Sequence, residues 1–212
     1  MFKKFFGKKT ETPHTNSSSN SKLEQFLLEH KKSGGSDFYP ILKPGNWIAK
    51  PHAVFIPWIG GKDNPQVLIA FGYDSGENLS FLTNQKAVGL KKSEIYDVVL
   101  QNLKTLKSPI SFSNVDGFNI ATASGNDFAS EKILDPDFLK ELSQKLKSNE
   151  LLVSVPRRRC LMACDKNAPE SFLQKFQALH LDAWNDDSYG NAPIANGLFE
   201  ITNGAISGYI AY

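Results

Sequence analysis

Cysteine is scarce in this 212-residue chain, with two residues. Cys160 and Cys164 are four residues apart on a predicted strand, so their Cα atoms should lie about 13 Å apart, too far for a disulfide. The sequence therefore predicts two free thiols, which indicates a reducing compartment. No apolar run approaches the roughly 20 residues of a membrane-spanning helix, and the first residues lack the apolar region of a secretory signal. We therefore expect a cytoplasmic protein.

Motifs of catalysis and metal binding are also missing. The chain contains no GxSxG, HExxH or CxxC motif and no phosphate-binding glycine loop. Its four histidines are scattered without the spacing of metal ligands, so we expect neither a metal ion nor a cofactor. Cys160 lies in an apolar stretch, which is more typical of a buried structural thiol than of a nucleophile.

A strong charge of one sign is absent as well. The net charge is +2, and removing the four lysines of residues 1–9 leaves −2 for the rest of the chain. A body so close to neutral argues against specific nucleic-acid binding. The basic tail is either solvated or in weak contact with an anionic membrane surface. The residues predicted to make that contact are Phe2, Lys3, Lys4, Phe5 and Phe6.

Hydrophobic residues make up 41% of the chain, which is enough to bury one sizeable core. We expect residues 1–21 to form a flexible basic tail and Ser-rich linker, and residues 22–212 to form a single α+β domain. Its architecture should be a mostly antiparallel sheet built from hairpins, with helices packed on it. The apolar periodicity predicts helices at 23–32, 94–106, 136–147 and 169–181.

Turn residues indicate where the hairpins lie. Asp116-Gly117 and Asn203-Gly204 are the two-residue turns typical of β-hairpins. Three further strands are predicted at 54–58, 67–71 and 79–82, where turn residues favour an antiparallel meander. The stretch 37–52 holds three prolines, so we expect it to wrap irregularly over the core.

The stretch 151–165 should form the centre of the sheet. Two apolar runs, 151–155 and 160–164, flank a Pro-Arg-Arg-Arg corner, and the second run is apolar on both faces. A strand of that kind should lie away from the sheet edge, with the following helix packed over it. Three adjacent arginines cannot all be buried unpaired, so most of the corner must meet water or acids.

Two groups of residues are candidates for ligand binding. Arg157 and Arg158 have the planar donor forks that suit a carboxylate or phosphate, and the alternative is an internal salt bridge to an acid such as Asp127 or Asp187. Gly125, Asn126 and Asp127 form a loop whose backbone N–H groups can bind an anion, or simply lead the chain into a helix. Trp184 lies beside an acidic run that is most simply a solvated loop.

Four segments in order resemble the YtpQ-like family of uncharacterised bacterial proteins. They are GYDSGENLSFLT, VVLQNL, GFNIATASGNDFASEKIL and LLVSVPRRRCLMA, and the match extends over roughly residues 67–181. The resemblance implies a compact cytosolic domain and supplies no activity or catalytic residues. The chain departs from the family where Arg159 replaces the expected aspartate after Arg158.

Two hypotheses of function remain. The first is a non-catalytic protein-interaction or accessory module, which the missing catalytic motifs favour. The second is an enzyme with an unrecognised site that acts on an anionic ligand, either a phosphate or a carboxylate. A deep pocket joining Arg158, Asp127 and a histidine would favour the enzyme, and an exposed apolar surface would favour the interaction module.

Overall fold

The computed structural model describes residues 17–74, 79–188 and 192–212. These residues form two antiparallel sheets and four α-helices, joined by turns and loops. The helices are α1 (Ser17–Lys32), α2 (Lys92–Thr105), α3 (Pro136–Leu146) and α4 (Glu170–Asn185), with a 3-10 helix at Ser130–Leu134. The strands are β1 (Phe38–Pro44), β2 (Phe55–Gly60), β3 (Pro65–Asp74), β4 (Leu79–Phe81), β5 (Ile110–Val115), β6 (Phe118–Ala123), β7 (Glu150–Ser154), β8 (Leu161–Asp165), β9 (Gly197–Thr202) and β10 (Ala205–Ala211). The predicted α+β class is confirmed.

The six-stranded sheet has the order β10-β9-β7-β8-β6-β5. The β7–β8 hairpin lies at its centre, with Leu152 opposite Cys164 and Val153 opposite Ala163. The predicted central hairpin is therefore confirmed. The hairpins β5–β6 and β9–β10 are confirmed too, because Asp116-Gly117 and Asn203-Gly204 have positive φ at both turn residues.

The four-stranded sheet contains a strand that the sequence did not predict. β1 pairs with β3 along its whole length, whereas we expected residues 37–52 to be irregular. Pro40 and Pro44 are tolerated because β1 is an edge strand, where a missing N–H breaks no ladder. The predicted meander is wrong as a result: β2 and β4 both pair with the side of β3 that faces away from β1.

The start of α3 agrees with its predicted capping residue, whereas α1 and α2 begin earlier than predicted. Asp135 Oδ1 accepts hydrogen bonds from the backbone N–H of Asp137 (3.1 Å) and Phe138 (3.4 Å), so α3 begins as predicted at Asp135-Pro136. α2 begins before the expected cap at Ser93, which lies inside the first turn. α1 begins at Ser17, so the last residues of the predicted linker are helical, and the tail itself lies outside the described residues.

The two faces of the six-stranded sheet pack against two different apolar cores, because successive residues of a strand point to opposite faces. Leu151, Val153, Ala163 and Phe199 face the larger core, which extends to the four-stranded sheet and to α1, α2 and α3. On the opposite face, Leu152, Cys164, Ile120 and Leu198 pack with Phe172 and Phe176 of α4. The helix after the central hairpin therefore covers that hairpin, as predicted.

No helix within residues 17–74, 79–188 and 192–212 is both long enough and apolar enough to cross a bilayer.

Candidate functional site

The arginine corner lies between β7 and β8 and is hydrogen-bonded to the segment that leads into β9. The Arg158 N–H donates to Ala192 O (3.1 Å), and the Ile194 N–H donates to Pro156 O (2.8 Å). The corner is thus part of the folded framework and does not project freely past the end of the sheet.

Arg157 is used inside the molecule. Its Nε donates to Ala183 O (3.0 Å) and Trp184 O (2.9 Å), and its Nη2 donates to Trp184 O (2.7 Å). These carbonyls belong to the last turn of α4, where the helix leaves carbonyls without intrahelical partners. Arg157 therefore caps α4 and fixes the backbone position of Trp184.

The other two arginines meet the second candidate group. Arg159 Nη2 forms an ion pair with Asp127 Oδ1 at 2.6 Å, and both side chains are about half exposed. Arg158 Nη2 lies 3.5 Å from Asp127 O, at the limit of a hydrogen bond. The structure therefore brings the corner and the loop 125–127 together, but the ion pair is made by Arg159, which we had not selected.

The loop 125–127 is held by its own side chains. Gly125 has φ +90°, a conformation that favours glycine. Asn126 Nδ2 donates to Lys107 O (2.7 Å) and Ser108 Oγ (2.6 Å), and its Oδ1 accepts from Phe128 N–H (2.8 Å). These bonds are those of a loop that leads into the following 3-10 helix, which was one of the two predicted interpretations.

Behind the corner lies a buried charge cluster that the sequence did not reveal. Glu131 is fully buried, and its two carboxylate oxygens accept from Leu42 N–H (3.1 Å) and Ser130 Oγ (2.7 Å). Burial raises the pKa of Glu131, while these hydrogen bonds and the Arg158 charge oppose the shift. Burial also lowers the pKa of Lys43, and the Arg158 charge lowers it further. The sequence signal is that Ser130-Glu131-Lys132 lies between two apolar pairs, 128–129 and 133–134.

Burial keeps the two cysteine thiols protonated and the His180 imidazole neutral. Burial raises the pKa of the Cys164 thiol to about 12 and also raises that of Cys160, and both cysteines are free. Cys160 lies in the turn before β8, not within the strand as expected. Ser154 and His180 are both fully buried, with Oγ 2.9 Å from Nδ1, and burial lowers the pKa of His180 to about 4.

Metal coordination finds no geometric support in the described part of the chain. None of its residues form a group of three or more His, Cys, Asp or Glu side chains placed to hold a metal ion.

A cleft of about 440 Å³ opens beside the buried Lys132. Lys132 Nζ donates to Asp135 Oδ2 (3.0 Å) and Leu103 O (2.9 Å), and Lys104 at the rim pairs with Asp137 at 3.0 Å. The described lining residues include three lysines, Lys104, Lys107 and Lys132, and three acids, Asp135, Asp137 and Glu141, so the wall has no excess of positive charge to favour an anion.

A second cleft, of about 420 Å³, lies between the two sheets, and none of the described residues in its wall has a charged side chain. We call it the aromatic–amide cleft. The described residues that line it are Pro44, Gly45, Asn46, Asn64, Pro65, Gln66, Trp184, Ile194, Asn196, Tyr209, Ala211 and Tyr212. Burial, together with the neighbouring Tyr212, raises the pKa of Tyr209 to about 12, so its hydroxyl is a neutral donor at physiological pH.

Two glycines allow the walls of this cleft to approach. A Cβ on Gly197 would lie 2.3 Å from Ile210 O and 2.7 Å from the Tyr209 ring, so glycine lets Tyr209 cross β9. A Cβ on Gly45 would lie 1.6 Å from Pro65 O, in the wall formed by the end of β1 and the start of β3. Larger residues at either position would push the walls apart.

One polar atom in the cleft lacks a partner. Asn196 Oδ1 is buried and accepts no hydrogen bond from any described residue, while its Nδ2 donates to Tyr212 O (3.3 Å). An unsatisfied buried carbonyl oxygen is costly to stability. Sequence reasoning had noted only Trp184 among the lining residues.

No family model, curated protein or solved structure matches this chain. The resemblance to the YtpQ-like family therefore stays a prediction.

Proposed function

We propose that this protein is a non-catalytic protein-interaction module that binds an extended, uncharged polypeptide segment along β10 and in the aromatic–amide cleft. The observation that carries the proposal is the position of this cleft at the end of an edge strand. Tyr209 and Ala211 belong to β10 and also line the cleft.

β10 offers backbone groups for pairing with a peptide. In the described part of the chain it pairs only with β9, so its other side is an edge of the six-stranded sheet. A bulge between Ile206 and Gly208 interrupts the register, which leaves residues 208–211 as the regular part of the edge beside the cleft. Adding a strand to such an edge is a common mode of peptide recognition, in which main-chain hydrogen bonds supply affinity and pockets supply specificity.

The cleft chemistry suits a peptide. Asn46, Asn64 and Gln66 present amides that can both donate to and accept from peptide groups. Trp184 and Tyr212 add large aromatic surfaces of the kind enriched at interaction sites. Because none of the described lining side chains is charged, a neutral segment that enters the cleft buries no charge without a partner.

The enzyme hypothesis receives less support, because neither the arginine corner nor the Ser154–His180 pair lies where a substrate could bind in a cleft. Arg157 and Arg159 have internal partners, and neither Arg158 nor Asp127 lines the aromatic–amide cleft or the cleft beside Lys132. The Ser154–His180 pair is fully buried, so a substrate has no access to it in this conformation.

The test is selection of a random-peptide display library on the immobilised full chain, followed by affinity measurement for the enriched peptides. We expect extended neutral sequences, and we expect Trp184→Ala to weaken their binding by at least about tenfold, as for an aromatic anchor. Amide chemical shifts on peptide addition should change in β10.

Phe112→Ser on β5 is the matched control, because β5 is the opposite edge of the same sheet and Phe112 is 45% exposed. The proposal is wrong if the peptides bind Trp184→Ala as tightly as the unaltered chain, or if the shift changes fall on β5. Enrichment of acidic peptides that require Arg158 would instead favour an anionic ligand.

A further inference from the structure

Two loops outside the aromatic–amide cleft pack side by side and form a single face. Ala53 forms a β-bridge with Thr83, Asn84 N–H donates to His52 O (3.0 Å), and Asn84 Nδ2 donates to Pro51 O (3.1 Å). We call the surface of residues 47–53 and 83–92 the lysine-rich loop face.

Its tips carry the two most exposed large apolar side chains of the described residues. Ile48 is 92% exposed and Val88 is 81% exposed, compared with 54% for Leu28, the next in order. Trp47, beside Ile48, is half-buried against Phe81 with ring centroids 4.7 Å apart. Covering an exposed isoleucine or valine side chain with a partner lowers the free energy, because apolar surface is removed from water.

The same face is positively charged through Lys50, Lys86, Lys91 and Lys92. Lys91 is paired with Glu94 at 2.9 Å, whereas the other three lysines form no ion pair with any described acid. Lys92 Nζ donates to Phe55 O (3.1 Å) and lies 5.3 Å from the centre of the Phe55 ring. An excess of positive charge around apolar tips is complementary to an anionic, partly apolar surface.

The N-terminal segment joins the fold beside this face. Lys22 Nζ in α1 lies 3.8 Å from the position that a Cβ would take on Gly89. Since a helix rises 1.5 Å per residue, Ser17, where α1 begins, lies about 8 Å further along the axis. The sequence before α1 has three phenylalanines and four lysines within residues 2–9, so it combines large apolar residues with lysines, as the loop face does with Ile48 and Val88.

We propose that the lysine-rich loop face docks the protein on an anionic lipid surface. Ile48 and Val88 enter the boundary between headgroups and acyl chains, and the lysines contact the anionic headgroups. A bilayer is favoured over an acidic protein because Ile48 and Val88 are more than 80% exposed and lie among lysines, the combination that inserts at the boundary between anionic headgroups and acyl chains.

The test is co-sedimentation of the full chain with vesicles of phosphatidylcholine alone and of phosphatidylcholine with about 30% phosphatidylglycerol. We expect binding to the anionic vesicles only, and a decrease as salt is added. Lys86→Gln with Lys92→Gln should weaken binding about 25-fold, which is about fivefold for each lysine. Ile48→Ser with Val88→Ser should weaken it by at least about tenfold.

Lys140→Gln with Lys145→Gln is the matched control, because these exposed lysines lie on α3 and should leave vesicle binding unchanged. The four altered loop residues are exposed, so circular dichroism should show intact folding, and each double variant tests the proposal independently. If both loop variants bind as the unaltered chain does while Phe5→Ser with Phe6→Ser abolishes binding, the tail acts alone and the proposal is overturned. Equal binding to neutral vesicles, or no vesicle binding at all, overturns it too.

Discussion

Buried His180 should make the stability of this protein depend on pH. Its side chain is fully buried, its Nδ1 lies 2.9 Å from Ser154 Oγ, and its Nε2 has no hydrogen-bond partner among the described residues. Burial without a second partner disfavours the charged imidazolium and lowers the pKa to about 4 from an ordinary value of 6.5.

The direction of the effect follows from proton uptake. As the pH falls below 6.5, the unfolded chain binds a proton at His180 that the folded chain does not bind until about pH 4. Stability that is present above pH 6.5 is therefore lost on acidification. At about 1.36 kcal/mol for each pH unit between the two pKa values, the loss is about 2 kcal/mol at pH 5 and about 3 kcal/mol at pH 4.

The assay is urea unfolding followed by tryptophan fluorescence at about pH 7.5 and about pH 5. The comparison is Ser154→Ala with His180→Leu, which removes both hydrogen-bonding partners together and so leaves neither polar group unpaired. From about pH 7.5 to about pH 5, the free energy of unfolding of the unaltered chain should fall by about 2 kcal/mol more than that of this variant. Acidic groups affect both proteins alike and cancel. If the two losses agree within about 0.5 kcal/mol, the assignment to His180 is refuted.

Three further substitutions test contacts described above, with unfolding free energies as the measurement. Arg157→Gln should cost about 1.5–3 kcal/mol because a charged donor to the carbonyls of α4 is lost, and an unchanged midpoint would contradict that role. Asp135→Ala should cost about 3–5 kcal/mol, since it removes the α3 cap and leaves Lys132 buried without its acid; a loss below about 1 kcal/mol would show that water replaces the pair. Gly197→Ala should cost about 1–3 kcal/mol and Gly61→Ala almost nothing, because only the first would overlap a backbone atom; equal effects would refute that argument.

The hairpins were predictable because their information is local. Asn203-Gly204 and Asp116-Gly117 favour positive φ at two adjacent residues, and a strand pair that is joined by such a turn has its register set by the turn. The central position of β8 was predictable for a similar reason, since its two apolar faces need cover on both sides.

β1 differs from the predicted irregular course because its prolines do not prevent strand pairing at an edge. Pro40 and Pro44 remove two donors, and that matters only if a second neighbour is present to accept from them. β1 pairs with β3 on one side alone, and its buried Ile41 and Leu42 stabilise it through packing. Whether a strand lies at an edge depends on the whole sheet, which the local sequence does not contain.

The aromatic–amide cleft and the buried Glu131 were beyond prediction for the same physical reason. The cleft wall comes from segments as distant in sequence as Asn46, Trp184 and Tyr212, and only the packing of the two sheets brings them together. Glu131 and Lys43 resemble ordinary surface charges in sequence, and their burial follows from the 3-10 helix docking against β1. The arginine corner and its acid Asp127 were named from the sequence, but Asp127 pairs with Arg159, and the backbone carbonyls that Arg157 binds depend on how α4 packs.

The two proposals meet in the loop that follows β1. Gly45 and Asn46 line the aromatic–amide cleft, while Ile48 and Lys50 belong to the lysine-rich loop face. Only a few residues separate the two, so docking of Ile48 at a lipid boundary would hold the mouth of the cleft close to the headgroups. A peptide bound there would then be a membrane-proximal segment, and anionic vesicles should restrict access to the cleft for soluble peptides. Competition between vesicles and a selected peptide, lost in Ile48→Ser with Val88→Ser, distinguishes this coupling from two independent surfaces.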